Sequence, residues 1–156
     1  MTPNTRSGSD KIFLGIDYGE KRIGLSYGDA LGVAIPLPAA VGTSQEKRLT
    51  QIEHVITTRG ITTIVVGYPY NMDGSIGPKA REVDAFIAIL KSRFNLPIER
   101  IDERLTTYQA RNDGLKVSSK KKKFSLKIRK RERRTGALDS RAATLILQDY
   151  LDNLNL

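Results

Sequence analysis

Residues 11–41 read KIFLGIDYGEKRIGLSYGDALGVAIPLPAAV. Lys11–Asp17 is a short apolar run ending on an acid, the pattern of a buried strand. Glu20 and Lys21 have turn character, and Arg22–Tyr27 alternates as a second strand. Asp29–Gly32 turns the chain again. Val33–Val41 reads as a third strand interrupted by Pro36 and Pro38, and prolines confine a strand to a sheet edge or an irregular stretch. Three consecutive strands joined by short turns form an antiparallel meander.

After this meander the hydrophobic period changes. Ser44 can cap a helix whose apolar face is Leu49, Ile52, Val55 and Ile56, and Gly60 ends it. Ile61–Gly67 (ITTIVVG) is β-branched and predicts a strand buried on both faces. Tyr68–Gly77 reads as a loop, and Pro78 suits a first helical turn. Ala80, Val83, Phe86, Ile87, Leu90 and Phe94 form a helical stripe. Leu96–Asp102 is a last short strand, and Thr106–Leu115 has helical character. Ala142, Leu145, Ile146, Tyr150, Leu151 and Leu154 mark a C-terminal helix. The order predicts an α/β fold: a mixed five-stranded sheet, with three antiparallel strands plus two parallel ones, flanked by helices.

The chain has 156 residues, 39% of them hydrophobic, and no cysteine. This length suits one domain, expected over residues 11–156, with residues 1–10 as a polar, disordered tail. The absence of cysteine excludes disulfides, thiolate catalysis and cysteine zinc sites. The longest stretch free of strongly polar residues, Gly32–Gly42, is too short to span a bilayer. The first ten residues are polar, with no apolar signal segment, so export is not expected.

The net charge is +9, yet Lys116–Arg134 alone holds eleven basic residues and one acid. The remainder of the chain is therefore close to neutral. Such a run repels itself and calls for an anionic partner, most commonly a phosphate backbone. A basic mobile loop at about residues 116–135 is expected, with Lys120, Lys121, Lys122, Lys123, Arg129, Lys130 and Arg131 contacting nucleic acid. A solvated, solubilising loop is the plainer alternative. No membrane partner is expected, because the segment lacks an amphipathic pattern.

Three acids stand out by position. Asp17 ends the first strand, Glu103 follows the last, and Asp139 starts the final helix. Ligands of α/β sheets bind at the carboxyl ends of parallel strands. Three carboxylates meeting there would repel unless cations sat between them, and hard oxygen donors suit Mg²⁺ or Mn²⁺. Two such ions about 3.5–4 Å apart can drive phosphodiester hydrolysis. Each acid also has a plain structural reading: a strand-ending turn for Asp17, an ion pair with Arg104 for Glu103, a helix cap for Asp139 or Ser140. Lys21 and Arg22 are candidates to approach a nucleic-acid backbone near Asp17. Asn71 and Asp73 either contact that backbone or simply form a turn with Gly74. Arg104 has Glu103 or a phosphate as partner. His54 reads as a structural or surface residue.

The chain also resembles a known family. Gly15-Ile16-Asp17-Tyr18-Gly19-Glu20-Lys21-Arg22-Ile23-Gly24 is similar to the opening motif of the YqgF (RuvX-like) family. Val66-Gly67-Tyr68-Pro69-Tyr70-Asn71-Met72-Asp73-Gly74-Ser75, Asp102-Glu103-Arg104-Leu105-Thr106-Thr107 and Leu138-Asp139-Ser140-Arg141-Ala142-Ala143 match its later motifs, in order. The resemblance implies a ribonuclease H-like fold related to RuvC-type Holliday junction resolvases. It implies a nuclease that resolves junctions or matures the 5′ end of precursor 16S rRNA. It also implies that Asp17, Glu103 and Asp139 are the catalytic, metal-binding acids of a two-metal site. The stretch between Ala110 and Asp139 departs from the family in being longer and more basic. A two-fold homodimer would suit symmetrical junction cutting, and a monomer would suffice for RNA. The rival classes are a non-catalytic nucleic-acid-binding factor in transcription or ribosome assembly, and an actin-like phosphotransferase. The chain is short for the latter and lacks its second phosphate loop.

Overall fold

The structure, a computed structural model, describes residues 10–103 and 140–154. Its elements are β1 (Ile12–Asp17), β2 (Arg22–Asp29), β3 (Ile35–Val41), α1 (Gln45–Arg59), β4 (Thr63–Tyr68), α2 (Pro78–Phe94), β5 (Ile98–Asp102) and α3 (Arg141–Asp152). The strands form one sheet in the order β3-β2-β1-β4-β5. β1 pairs antiparallel with β2, and β2 with β3; β1–β4 and β4–β5 are parallel. This is the mixed five-stranded sheet expected, with the proline-bearing strand at its edge.

Successive strand residues point to opposite faces, and β1 and β4 are covered on both. Leu14, Ile16, Ile64 and Val66 pack with Leu49 and Ile52 of α1 and with Val83, Phe86 and Leu90 of α2. Phe13 and Val65 instead meet Ile146, Leu147 and Leu151 of α3. Burial on two sides is why these strands read as unbroken apolar runs. Glycines on the second face let α3 settle close. A Cβ on Gly15 would lie 2.7 Å from Leu147 Cβ, and one on Gly28 would lie 2.8 Å from Leu151 Cδ1.

The helix ends follow their local chemistry. Ser44 Oγ accepts the Lys47 N–H, and Gly60 closes α1 in the left-handed region at φ 64°. Pro78 opens α2. β3, β4 and β5 each start two residues later than the sequence pattern suggests. Before β3, Gln148 of α3 captures the backbone: its Nε2 donates to Gly32 O at 2.8 Å and its Oε1 accepts the Ala34 N–H at 3.0 Å. Before β4, the Ile61 N–H still donates to Ile56 O at the end of α1. The buried face of α3 is Ala143, Ile146, Leu147 and Leu151, rather than one including Ala142 and Leu145, which are half-buried. The close approach over Gly15 sets this rotation. His54 is exposed on α1, as a surface residue.

Among the described residues no helix is long and apolar enough to cross a membrane. The expected tail, the Thr106–Leu115 helix and the basic loop lie outside the described residues, apart from Asp10.

Candidate active site

The carboxyl ends of β1, β4 and β5 share one edge of the sheet. Asp17 is the last residue of β1, and Glu103 directly follows β5. One strand, β4, separates them. The parallel ladders pair Ile16 with Val66 and Gly67 with Ile101, so Gly67 is the β4 residue that stands between the two acids. It has no side chain to block them. A Cβ there would lie 2.6 Å from Glu103 Oε1, 3.0 Å from Glu103 Cγ and 2.6 Å from Ile146 Cδ1. Glu103 therefore lies across Gly67 and hydrogen-bonds Asp17.

The electrostatics follow from this contact. Burial, and then repulsion from Asp17, push the Glu103 carboxyl up to about 7. Burial also raises Asp17, while the Lys79 ammonium and the bond from Glu103 hold it back. Glu103 is the partner that keeps the proton and donates it to the ionised Asp17. Two desolvated carboxylates sharing one proton is the charge arrangement that a cation relieves.

The third candidate, Asp139, lies outside the described residues. Its chain neighbour Ser140 is buried at 0% exposure. Ser140 Oγ accepts the Leu25 N–H at 3.0 Å, where the β2–β3 register shifts between Ile23 and Leu25. Ser26 Oγ donates to Ala143 O at 2.7 Å. The first turn of α3 is thus pinned to β2 beside Gly24, the residue opposite Asp17. Ser140 stands at the cap position of α3 but makes no side-chain bond to the helix; its hydroxyl serves the sheet instead.

The other candidates divide. Lys21 is exposed and lines a cleft of about 420 Å³ together with Tyr18, Gly19, Glu20, Lys79 and Glu82. Arg22 is exposed at the start of β2. Asn71 and Asp73 build a turn: Asn71 Nδ2 donates to Ser75 Oγ at 2.9 Å, and Asp73 Oδ1 accepts from the Ser75 N–H at 2.9 Å and from its hydroxyl at 2.6 Å. Arg104, Lys120, Lys121, Lys122, Lys123, Arg129, Lys130 and Arg131 lie outside the described residues.

Two residues of the site went unassigned in the sequence. A glycine closing a β-branched strand is the available signal for Gly67, since such glycines mark close approach. Lys79 stands in the first turn of α2, and only the packing of that helix brings its charge to both acids.

RuvC from T. thermophilus, solved with a Holliday junction substrate, superposes with a TM-score of 0.52 at 17% identity, covering 92% of this chain and 96% of that one. The fowlpox virus Holliday junction resolvase gives a TM-score of 0.50 at 13% identity, covering 92% and 99%. These likenesses establish a shared fold. A protein of Opitutus terrae bearing the name "Putative pre-16S rRNA nuclease" is 46% identical over 140 residues, 89% of this chain and 90% of its own. One of the same name from Chloroflexus aurantiacus is 38% identical over 149 residues, 92% of this chain and 88% of its own. The sequence pattern of RuvX, described as Holliday junction resolvase, matches residues 11–153. With nearly the whole chain matched, this protein belongs to the RuvX family of nucleases.

Proposed function

We propose that this protein is a metal-dependent endonuclease that hydrolyses phosphodiester bonds in structured nucleic acid. Its substrates under this reading are the 5′ end of precursor 16S rRNA, Holliday junctions, or both. The observation that carries the proposal is the Asp17–Glu103 pair, drawn together across Gly67 at the carboxyl edge of the sheet. The names of the relatives and the description of the family supply the substrate classes.

The residues fit a divalent cation. Both donors are hard carboxylate oxygens, both are desolvated, and a shared proton stands in for positive charge. Among the described residues no third acid or histidine joins them; Asp139, next to the pinned Ser140, is the proposed third. Bound there, Mg²⁺ or Mn²⁺, as one ion or as a pair, would supply Lewis-acid stabilisation of the charge that builds on the phosphodiester oxygens.

The chain's own residues have these roles. Asp17, held at a strand end, is the fixed carboxylate that both neighbours address. Glu103 gives up its proton when the site is loaded. Gly67 keeps the floor of the site open. Lys21, Arg22, Asn71, Arg104 and the basic segment that includes Lys120–Lys123 and Arg129–Arg131 hold the backbone of the nucleic acid. A cytoplasmic setting goes with such a substrate.

Glu103→Gln keeps the size of the side chain and removes the charge. It should lower Mn²⁺-dependent cleavage by at least about 100-fold, and Asp139→Asn should do likewise. Binding in Ca²⁺ should stay within about threefold. Cleavage at the wild-type rate by Glu103→Gln would remove the proposed site.

A further inference from the structure

β5 leads directly into Glu103, yet it is the least buried strand end of the site. It is an edge strand, paired only with β4 among the described residues. None of its residues is fully buried: Ile98, Ile101 and Asp102 are half-buried, and Glu99 and Arg100 are exposed. A strand with few buried apolar contacts opens more readily than a core strand. Glu103 nevertheless lies across Gly67, with Oε1 only 2.6 Å from where a Cβ would stand. A carboxylate aimed this closely needs its strand end fixed.

The opposite face of the same strand ends supplies a tie. Tyr68 follows Gly67 on β4 and packs in the core with α1 and α2, whereas Gly67 faces Ile146 of α3. Tyr68 is buried, and its hydroxyl donates to Asp84 Oδ2 of α2 at 2.7 Å. The second oxygen, Asp84 Oδ1, lies 3.2 Å from Arg100 Nη2 of β5. The Arg100 guanidinium also stands over the Tyr68 ring, 5.3 Å from its centroid. One carboxylate therefore joins α2 to both β4 and β5. The ladder pairs Val66 with Arg100, Gly67 with Ile101 and Tyr68 with Asp102, so the tie grips the two strands beside the point where Glu103 crosses. A guanidinium engaged by a carboxylate and a ring face is held in direction as well as in charge. The other ion pairs of α2, from Arg93 to Glu46 and Glu53 of α1, join helices only.

We propose that Asp84 is a positioning residue of the acid site: through Tyr68 and Arg100 it fixes the ends of β4 and β5 to α2, and so sets Glu103 in its place across Gly67. This rests on the reading of the site as a metal-dependent nuclease. Asp84 acts through the two strands, with Arg100 as the arm that reaches β5. The Arg100 and Asp84 side chains are 47% and 38% exposed, so their pair adds little to global stability. Its loss should leave the fold standing and show in the aim of Glu103. A misplacement of about 1 Å can cost about 100-fold in rate.

The test uses the whole protein as wild type, Asp84→Ala, Arg100→Gln, Arg100→Lys, Arg93→Gln and Asp17→Asn. Cleavage of a four-way DNA junction and of precursor 16S rRNA in Mn²⁺ gives kcat and KM. Calorimetry without nucleic acid gives Mn²⁺ affinity. Arg100→Gln should lower kcat about tenfold with KM within about twofold, and weaken Mn²⁺ binding about three- to tenfold. Asp84→Ala should lose at least as much. Arg100→Lys keeps the charge and should recover to within about threefold of wild type. Arg93→Gln breaks ion pairs of the same helix away from the strands and should match wild type in every readout. Arg100→Gln and Arg93→Gln should melt alike. Unchanged kcat and Mn²⁺ affinity in Arg100→Gln, with both lost in Asp17→Asn, overturns the positioning role alone. A raised KM at unchanged kcat makes Arg100 a contact to nucleic acid and also overturns it. So do equal losses in Arg93→Gln, which would trace the effect to the stability of α2. Wild-type cleavage and Mn²⁺ binding by Asp17→Asn overturns the nuclease reading beneath it.

Discussion

Gly67 decides whether two distant acids can meet. Any side chain there would collide with Glu103 Oε1 and Ile146 Cδ1, both 2.6 Å from an added Cβ. Gly67→Val should therefore push Glu103 away from Asp17 and raise the seat of α3. We expect at least about a 100-fold loss of cleavage, weaker Mn²⁺ binding, and a melting temperature lower by several degrees. A kinetic and calorimetric comparison with wild type checks this. The Glu103 proton offers a second test. Its folded value of about 7 stands above the ordinary 4.5, so the folded chain binds more protons than the unfolded chain between those values. The contribution of Glu103 is complete below pH 4.5 and disappears as pH rises through about 7. In EDTA, melting temperature should fall across this window more steeply for wild type than for Glu103→Gln, and Mn²⁺ should reverse the loss at pH 8. Equal slopes would mean that the two acids do not share a proton.

At the scale of elements, α3 is the piece anchored beside the strand end that carries Asp17. Its first turn is tied to β2 by the Leu25–Ser140 and Ser26–Ala143 bonds. Ser140→Ala leaves a buried N–H without an acceptor and should cost about 1–3 kcal/mol by denaturant melts. Because Asp139 adjoins Ser140, cleavage should fall beyond what stability explains. Leu147→Ala, under the same helix, should cost about 2–5 kcal/mol with cleavage retained in the folded fraction. Much of this architecture was legible in the sequence, since it is local. The apolar runs of β1 and β4, the prolines of β3, Ser44, Gly60 and Pro78 each carry their meaning within a few residues. Gln148 capturing Gly32 and Ala34, and the rotation of α3 over Gly15, depend on contacts more than 100 residues apart in sequence. Local pattern does not contain them.

Across the whole molecule, charge and chemistry are separated along the chain. A near-neutral body carries the acid pair, while Lys116–Arg134 accounts for the net positive charge. Neutralising Lys120–Lys123 to alanine should weaken binding to all nucleic acids alike and flatten its salt dependence, leaving the melting temperature unchanged. An unchanged salt slope would reduce the segment to a solubilising loop. The candidate site was legible to the extent that strand ends are: Asp17 and Glu103 are visible as acids at carboxyl ends of strands. That they meet was not visible, because β4 intervenes and only Gly67 lets Glu103 cross it.

The most direct measurement is cleavage of a four-way DNA junction, a linear duplex and precursor 16S rRNA, in parallel, by wild type and Asp17→Asn in Mn²⁺. The account predicts cutting of the junction, the precursor or both by wild type, little cutting of the linear duplex, and at least about a 100-fold loss in the variant with binding retained. Binding of all three substrates without cleavage, or cleavage that survives in Asp17→Asn, would contradict it.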